Sequence, residues 1–380
     1  MDDDTAHPEH TGLTLNPLEL PPRHQAGLLG LVALAAVPLA ASIEAIGFVT
    51  DLTILQVTGA LFFAVYVMTW DVVSGYTGEI SFGHALFIGV GAYTSGLLNV
   101  VLDVPLFASI PAAVLAASLA GLLIGFPSLR VKGPYFSLIT LVAPVILLRA
   151  FVFFSDITGG ETGLFGIETI SLDPTTNYYI AFALFVFALA VFLAITRSDA
   201  GQILTAIRED EATVVSVGLN PAKFKLFAFV LSGAIGGLAG ALFIHTFAQG
   251  VATPSETLGL VLSIELIVAT ILGGIGTITG AAIGGLFFYL VRTWLRGVDA
   301  TIPLVSTPVS ELYFLIFGLV TLAFLFFLPR GLVPRTLLEA RRLRARYAGD
   351  ARPDGGQPPL GAVIARFRRA IKAWFGGDRR

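Results

Sequence analysis

Residues 177–196 read NYYIAFALFVFALAVFLAIT, twenty consecutive residues without a charged side chain. Because an α-helix rises about 1.5 Å per residue, a stretch of this length spans the roughly 30 Å of hydrocarbon in a bilayer. Nine further apolar stretches flank it, near residues 27–48, 52–73, 82–102, 105–126, 134–154, 225–247, 257–275, 276–295 and 308–329. The sequence therefore predicts an all-α integral membrane protein with about ten transmembrane helices.

The composition excludes a water-soluble globular protein. Of the 380 residues, 55% are hydrophobic and 13% are charged, whereas a soluble domain has about 25% charged residues. Cysteine is absent, which excludes disulfides, thiolate metal ligands and cysteine nucleophiles.

The distribution of positive charge predicts the orientation of the helices. If the C-terminus is cytoplasmic, 20 of the 23 lysines and arginines lie on the cytoplasmic side, and only Arg149, Arg292 and Arg296 lie outside. Membrane proteins concentrate these residues in their cytoplasmic loops. We therefore expect both termini to be cytoplasmic.

The chain divides into three parts. Residues 1–26 are predicted to form a disordered cytoplasmic arm, residues 27–330 a transmembrane domain, and residues 331–380 a basic cytoplasmic tail. Near 360–376 the tail carries an apolar stripe at helical spacing, which suits a helix on an anionic membrane surface. A solvated, partly disordered tail is the alternative, and nucleic-acid binding is not expected because no reading motif accompanies the basic residues.

Motifs for chemistry on this chain are missing from the sequence. No lysine lies in a Walker A phosphate loop, no pair of histidines has the H-E-x-x-H spacing of a zinc site, and no G-x-S-x-G nucleophile elbow occurs. We therefore predict no catalytic residue, metal or cofactor, and no ATP hydrolysis by this chain.

The longest internal polar segment covers residues 197–225. Within it Ile203, Ile207, Val214 and Val215 recur at helical spacing, which predicts one short amphipathic helix. Gly218, Asn220 and Pro221 should end it. Such a helix between two spans either docks into a groove on a soluble partner or lies on the surface as a solvated connector.

Several blocks of sequence resemble one known family. They are AIREDEA…GLN…KFKLFAFVLSGAIGGLAGAL (206–242), GYTGEISFGHALFIGVGAYTSGLL (75–98), LRVKGPYFSLITL (129–141), TGGETGL (158–164) and SIEL…ILGGIGTITGAAIGG (263–285). Together they resemble the M-type branched-chain amino acid permeases of ATP-binding-cassette importers. The blocks span most of residues 52–330.

The resemblance implies an importer permease bundle that lies in the inner membrane and works with other subunits. These are two nucleotide-binding subunits that hydrolyse ATP, a second permease of the H type, and an external substrate-binding protein. The residues that it implies for the contact with the nucleotide-binding subunit are Arg208, Glu209, Asp210, Glu211 and Gly218. A related importer of urea or other amides is one alternative, and an ion-coupled secondary transporter using Asp71 and Glu265 is another.

Two regions are candidates for the translocation path. The glycine-rich loop 75–83 and the residue that follows it contribute Glu79, Ser81 and His84. Glu79 and Ser81 line the path or cap the following helix, and His84 is more often a packing residue than a proton relay. Glu265 lies near the middle of its span, where a lipid-facing carboxylate is costly, so we expect it to line the path or to pair with a residue such as Arg149.

Glycines spaced four residues apart predict close packing of helices, and dimerisation through such a helix face is the more specific alternative. The pairs are Gly233 with Gly237, Gly236 with Gly240, Gly276 with Gly280, and Gly280 with Gly284.

Overall fold

The computed structural model describes residues 22–41, 50–128 and 134–298, two short strands, and the single positions 315, 318, 319 and 322. The predicted arm, most of the tenth apolar stretch and the basic tail with its helix near 360–376 lie outside the described residues. The chain divides into two compact units, Met1–Ile54 and Leu55–Arg380. In the first, α1 covers Pro22–Ala35 and α2 covers Val37–Ala41.

The long helices of the chain follow in sequence order. They are α3 (Asp51–Trp70), α4 (Ala85–Leu102), α5 (Leu106–Ser128), α6 (Pro134–Phe153), α8 (Pro174–Thr196), α11 (Pro221–His245), α13 (Leu260–Gly273) and α14 (Ile278–Arg296). Shorter helices are α7 (Ser155–Thr158), α9 (Asp199–Glu209), α10 (Glu211–Ser216) and α12 (Pro254–Thr257). Strands β1 (Thr301–Ile302) and β2 (Thr307–Pro308) pair antiparallel.

Eight helical segments within the described residues are long and apolar enough to cross a membrane. They coincide with the second to ninth apolar stretches of the sequence, which confirms an all-α membrane fold. Pro111, Pro127 and Pro144 lie inside the long helices, and membrane helices tolerate proline more readily than soluble ones. The count of ten spans and the cytoplasmic location of both termini stay predictions.

Helices α4, α5 and α11 form the most closely packed part of the second unit. A Cβ atom on Gly91 of α4 would collide with the backbone of Gly237 of α11, and one on Gly237 would collide with the side chain of Ala117 of α5. Gly233 likewise lies against the Ala117 carbonyl, and Gly240 against the Ile88 carbonyl. The prediction that these glycine pairs serve close packing is confirmed, because lipid supplies no hydrophobic force and association depends on such backbone contact.

Helices α13 and α14 form an antiparallel hairpin with a short turn. Gly273 meets the backbone of Gly280 and Gly284 across it. In the turn, Gly274 has φ +124° and Gly276 has φ +73°, values that L side chains rarely adopt. These two glycines end α13 and redirect the chain into α14.

Two groups of loops are distinguished among the described residues. Gly75 and Gly276 both lie against Arg208, so the loop after α3, the α13–α14 turn and the α8–α11 connection lie together at one end of the bundle, here called the α9 end. The segment after α7 pairs instead with the segment after α11, through the bridge between Leu164 and Ala252. We call this second group the α7 end.

Candidate functional site

The segment between α8 and α11 forms two helices, not the single helix that the spacing predicts. Helix α9 ends at Glu209, Asp210 is extended with φ −158°, and α10 begins at Glu211. Ile207 and Val214 are buried as expected, but Val215 is 55% exposed because the break at Asp210 rotates the second helix. Gly218, with φ +84°, lies beyond the end of α10.

Asn220 and Pro221 confirm the predicted boundary after this segment. Asn220 is the N-cap of α11, and its side-chain oxygen accepts a hydrogen bond from the Ala222 amide at 3.1 Å. Pro221 occupies the first turn of the helix, where its missing N–H costs nothing. The sequence therefore restarts a membrane helix directly after the polar segment.

Asp210 ends one helix and begins the next. Its Oδ1 accepts hydrogen bonds from the amides of Ala212 and Thr213 at 2.9 and 3.3 Å, and its Oδ2 accepts one from the Thr213 hydroxyl. The side-chain hydrogen bond from Thr213, followed by the backbone hydrogen bonds, lowers the pKa of this carboxyl below its ordinary value. Asp210 is thus the N-cap of α10, a role that the sequence analysis did not predict.

We predict that Asp210→Ala increases amide hydrogen exchange at residues 212 and 213. In the wild type the cap's stabilisation is present above the ordinary aspartate pKa, and it is lost as pH falls through the lowered folded pKa. Acidification should therefore lower the protection of these amides in the wild type, measured as exchange relative to the intrinsic rate at each pH, while their protection in the alanine variant should not change with pH. Glu209→Ala, one residue earlier, is the control; equal exchange in both variants would contradict the capping role.

Arg208 connects α9 to the end of α3. Residues Asp71–Gly75 continue α3 as a π-helical turn, in which the Tyr76 amide donates to the Asp71 carbonyl. In a regular α-helix the Glu79 amide would donate to the Gly75 carbonyl, but here it donates to the Thr77 hydroxyl. The Gly75 carbonyl accepts the Arg208 guanidinium Nη1 at 2.6 Å. The π-turn therefore presents a backbone acceptor to the polar segment, as such turns do at functional sites.

Lys225 connects three elements. From the first turns of α11, its Nζ donates to Glu79 Oε1 at 2.7 Å and to Glu211 Oε2 at 3.1 Å. Its side chain is only 7% exposed. The lysine thus bridges the loop after α3 and helix α10, and it keeps both carboxylate partners only while both elements stay in place.

Asp71 secures the α13–α14 turn to the same place. Its Oδ1 accepts the Gly276 amide at 2.7 Å, and a Cβ on Gly75 would collide with the Asp71 carboxylate. Through Arg208, Lys225 and Asp71, the helices α3, α9, α10, α11 and the α13–α14 turn meet at the α9 end. We call these three residues, together with Glu79 and Glu211, the linkage cluster.

The predicted path residues separate in the structure. Glu79 belongs to the linkage cluster, whereas Ser81 is buried among the helices. The Ser81 amide donates to Ser74 Oγ, and the Ser81 carbonyl accepts the Trp70 indole N–H at 2.7 Å. Glu79 and Ser81 do not cap α4. Its N-cap residue is His84, whose side chain makes no capping hydrogen bond. The amide of Ala85, the first residue of α4, donates to Ser263 Oγ.

His84 is fully buried among helices. Its Nε2 lies 3.0 Å from both Thr69 Oγ1 and Ser232 Oγ, and its ring packs edge-on against Phe87. These contacts favour the packing interpretation over a proton relay.

Glu265 pairs with Arg292 of α14 and not with Arg149. Arg149 is an exposed residue of α6. Glu265 is buried, which agrees with the expectation that it avoids lipid.

Sequence analysis missed the central position of Lys225. The signal was present, because a lysine stands at the start of an apolar helix within a segment already noted for its acidic residues. A buried cation in that position requires carboxylate partners. No comparable feature of the sequence predicted the π-turn at Asp71–Gly75.

A family model described as "Branched-chain amino acid transport system / permease component" matches residues 53–325, most of the chain. The chain belongs to this family. The match covers seven of the eight described spans completely and all but the first residues of α3. As a member of the permease family with eight such helices, the protein is a multi-pass membrane protein.

Individual members of the permease family resemble the chain along much of its length. The high-affinity branched-chain amino acid transport system permease protein LivM of Escherichia coli is 30% identical over 299 residues, which cover 70% of this chain and 66% of that protein. BraD of Pseudomonas aeruginosa is 25% identical, covering 73% and 93%, and LivH of Salmonella typhimurium is 26% identical, covering 59% and 78%. The chain thus spans slightly less than two thirds of the length of LivM. No solved structure gives a significant match.

Proposed function

We propose that this protein is the permease subunit of an ATP-driven importer that moves branched-chain amino acids across the inner membrane by alternating access. The observation that carries the proposal is the linkage cluster. It joins the exposed α9–α10 segment to the loop after α3 and to the α13–α14 turn, so a push on that segment reaches several membrane helices at once. Family membership supports the same function.

The exposed side of α9–α10 suits a soluble partner. Val215 is 55% exposed, Val217 is 69% exposed and Leu219 is 39% exposed, so the tip of the segment offers apolar side chains. The acidic Glu209 at the end of α9 is exposed as well. We infer that this tip enters a groove on a nucleotide-binding subunit, as an amphipathic helix does. Arg208, Glu209, Asp210, Glu211 and Gly218 thus keep the coupling role that the sequence suggests.

The movement follows from these connections. Closure of two nucleotide-binding subunits on ATP would displace α9 and α10 as one element. Arg208 would draw the Gly75 carbonyl, and Lys225 would draw Glu79, so the loop that carries Ser81 and leads to His84 would move with them. This change at the α9 end would open or close the path on that side of the membrane.

The remaining partners are inferred from the relatives. Similarity to both LivM and LivH proteins supports a second, different permease subunit of the H type. An external substrate-binding protein would deliver the amino acid at the α7 end. The predicted excess of positive charge on the α9 side favours a cytoplasmic location for that end.

We expect the protein, reconstituted with its two nucleotide-binding subunits, second permease and binding protein, to accumulate leucine, isoleucine and valine only with ATP. Uptake should persist with a proton and sodium ionophore, because no ion gradient drives it. Radiolabelled uptake into proteoliposomes measures this, with urea and acetamide as competitors to test an amide importer. A non-hydrolysable ATP analogue is the control.

The second candidate is an ion-coupled secondary transporter, favoured by the buried carboxylates of Asp71 and Glu265 in membrane helices. Uptake by this chain alone that an ionophore abolishes would establish it and would remove the importer proposal.

A further inference from the structure

One carboxylate of the linkage cluster is only half satisfied. Asp71 is fully buried. Its Oδ1 accepts the Gly276 amide at 2.7 Å, whereas its Oδ2 has no hydrogen-bond partner among the residues that the structure describes. A buried carboxylate is costly unless a cation or several hydrogen bonds compensate its charge. Asp71 therefore needs either a proton or a cation that comes close in another conformation.

Arg208 approaches the same place from helix α9. Its Nη1 donates to the Gly75 carbonyl at 2.6 Å. A Cβ on Gly276 would collide with this Nη1, and a Cβ on Gly75 would collide with Asp71 Oδ1. The two side chains thus contact the same pair of glycines, yet the salt bridges among the described residues do not join them. A cation and an uncompensated carboxylate lie near each other without forming an ion pair.

Glycines border the Arg208 side chain and leave it room to move. Gly276 has φ +73° and Gly78 has φ +80°, so L side chains are disfavoured at both positions. A Cβ on Gly78 would crowd the Arg208 Cγ, as one on Gly276 would crowd its Nη1. Arg208 is itself exposed, and its guanidinium carries five donors in a planar fork. A small displacement of α9 can therefore bring the guanidinium to the Asp71 carboxylate.

We propose that Arg208 changes its partner during the transport cycle, leaving the Gly75 carbonyl and forming an ion pair with the free Asp71 Oδ2. Asp71 is then a positioning residue of the coupling movement, because it holds α9 against the end of α3 in a second state. This inference rests on the proposed function, in which a nucleotide-binding subunit displaces α9.

The exchange also frees a backbone acceptor. In a regular α-helix the Gly75 carbonyl would accept the Glu79 amide, but here Arg208 occupies it. The Glu79 amide donates to the Thr77 hydroxyl instead. Once Arg208 has moved, the Gly75 carbonyl can accept the Glu79 amide, and the last turn of α3 extends. Because Lys225 holds Glu79 at 2.7 Å, this extension passes the movement from α9 to α11.

Asp71→Asn tests the exchange, because asparagine keeps an oxygen for the Gly276 amide and removes only the charge. The exchange predicts that ATP-driven leucine uptake falls about ten- to hundredfold, the equivalent of one charged hydrogen bond, while ATP hydrolysis continues. An Asp71 that is merely protonated, or that only holds the α13–α14 turn, predicts unchanged uptake. Asp51→Asn makes the same change at the exposed first residue of α3 and is the matched control, which should transport normally.

Arg208→Gln removes the other charge of the pair. Glutamine keeps an amide group that can donate to the Gly75 carbonyl, and because Arg208 is exposed, this variant should assemble even if a change at the buried Asp71 does not. Its uptake should fall as in Asp71→Asn. The double variant D71N/R208Q should transport no worse than R208Q, because both changes remove the same ion pair. Independent roles for the two residues would multiply their losses.

A distance measurement detects the second state without relying on transport. The chain has no cysteine, so Gln202→Cys on α9 and Leu123→Cys on α5, both exposed, can carry spin labels in an importer whose other subunits lack reactive cysteines. With a non-hydrolysable ATP analogue, the labelled protein should show a second distance. Adding Asp71→Asn should remove that distance, and adding Asp51→Asn should keep it.

The outcomes separate this inference from the proposed function. If the wild type shows no ATP-dependent amino acid uptake, the proposed function fails. If the wild type transports leucine but Asp71→Asn transports equally well, or shows the wild-type distances with the ATP analogue, the partner exchange is wrong and Asp71 only holds the turn. An Arg208→Gln variant with wild-type uptake contradicts the exchange even where Asp71→Asn does not assemble.

Discussion

Replacing Lys225 with methionine is expected to reduce the ATP-driven uptake of the proposed importer at least tenfold while its nucleotide-binding subunits continue to hydrolyse ATP. Methionine keeps much of the side-chain volume but leaves Glu79 and Glu211 without their shared cation. Removing the partner of a mostly buried carboxylate such as Glu79 costs on the order of 3 kcal/mol. Glu211 is 38% exposed and returns to water at little cost, so nothing then holds α10 to the loop after α3 through this cluster. Uptake and ATP hydrolysis measured on the same proteoliposomes give the coupling ratio.

Lys223→Met is the matched control, since Lys223 lies two residues earlier on α11 and is exposed. It should leave the coupling ratio unchanged. A normal ratio in the Lys225 variant would mean that the linkage cluster does not transmit the movement. The double variant K225M/E79Q should recover stability better than uptake, because it removes an unpaired charge but does not restore the link.

Replacing Gly91 with leucine is expected to prevent the protein from folding in the membrane. A Cβ at this position already collides with the Gly237 backbone, and Gly237 in turn lies against Ala117. Overpacking a core typically costs about 1–3 kcal/mol, and here neither neighbour is a flexible side chain that could move. Helices α4, α5 and α11 should therefore separate. Yield in the membrane fraction and monodispersity after detergent extraction measure the outcome.

Gly30→Leu makes the same change on α1, where a Cβ meets nothing within 4 Å. This variant should accumulate like the wild type. A Gly91 variant that is equally abundant and monodisperse would show that the close approach of α4 and α11 is not needed for the fold.

The sequence predicted the membrane helices well because each depends on local composition. A stretch such as 177–196 is apolar throughout, so its helix is independent of its neighbours. The four-residue spacing of Gly233 and Gly237 likewise indicated a close contact, but not its partners, Ala117 and Gly91. Those depend on how helices far apart in sequence rotate and pack.

The candidate site was less predictable because its contacts cross between elements. Glu265 and Arg292 lie on one hairpin, yet Arg292 is about six residues further from the turn, roughly 9 Å of helix rise. Residues that face each other directly across a hairpin are equally far from its turn, so the hairpin alone does not predict this ion pair. The break at Asp210 was also missed, since the apolar spacing of Ile207 and Val214 continues through it while the Asp210 side chain takes over the backbone hydrogen bonding.

The π-turn at Asp71–Gly75 determines how α3 accommodates the insertion or deletion of one residue. A π-turn holds one residue more than the α-helical turn it replaces, so deleting Val72 would shorten the sequence while keeping a continuous helix. Because the α-helical turn covers nearly the same rotation with one residue fewer, the residues before the deletion would keep nearly the same orientation relative to Gly75 and the loop beyond it. The lipid-embedded part of α3 would therefore keep its neighbours. A relative with one residue fewer here can hold α3 in the same place, and the extra residue of this chain changes only the local backbone that faces the polar segment.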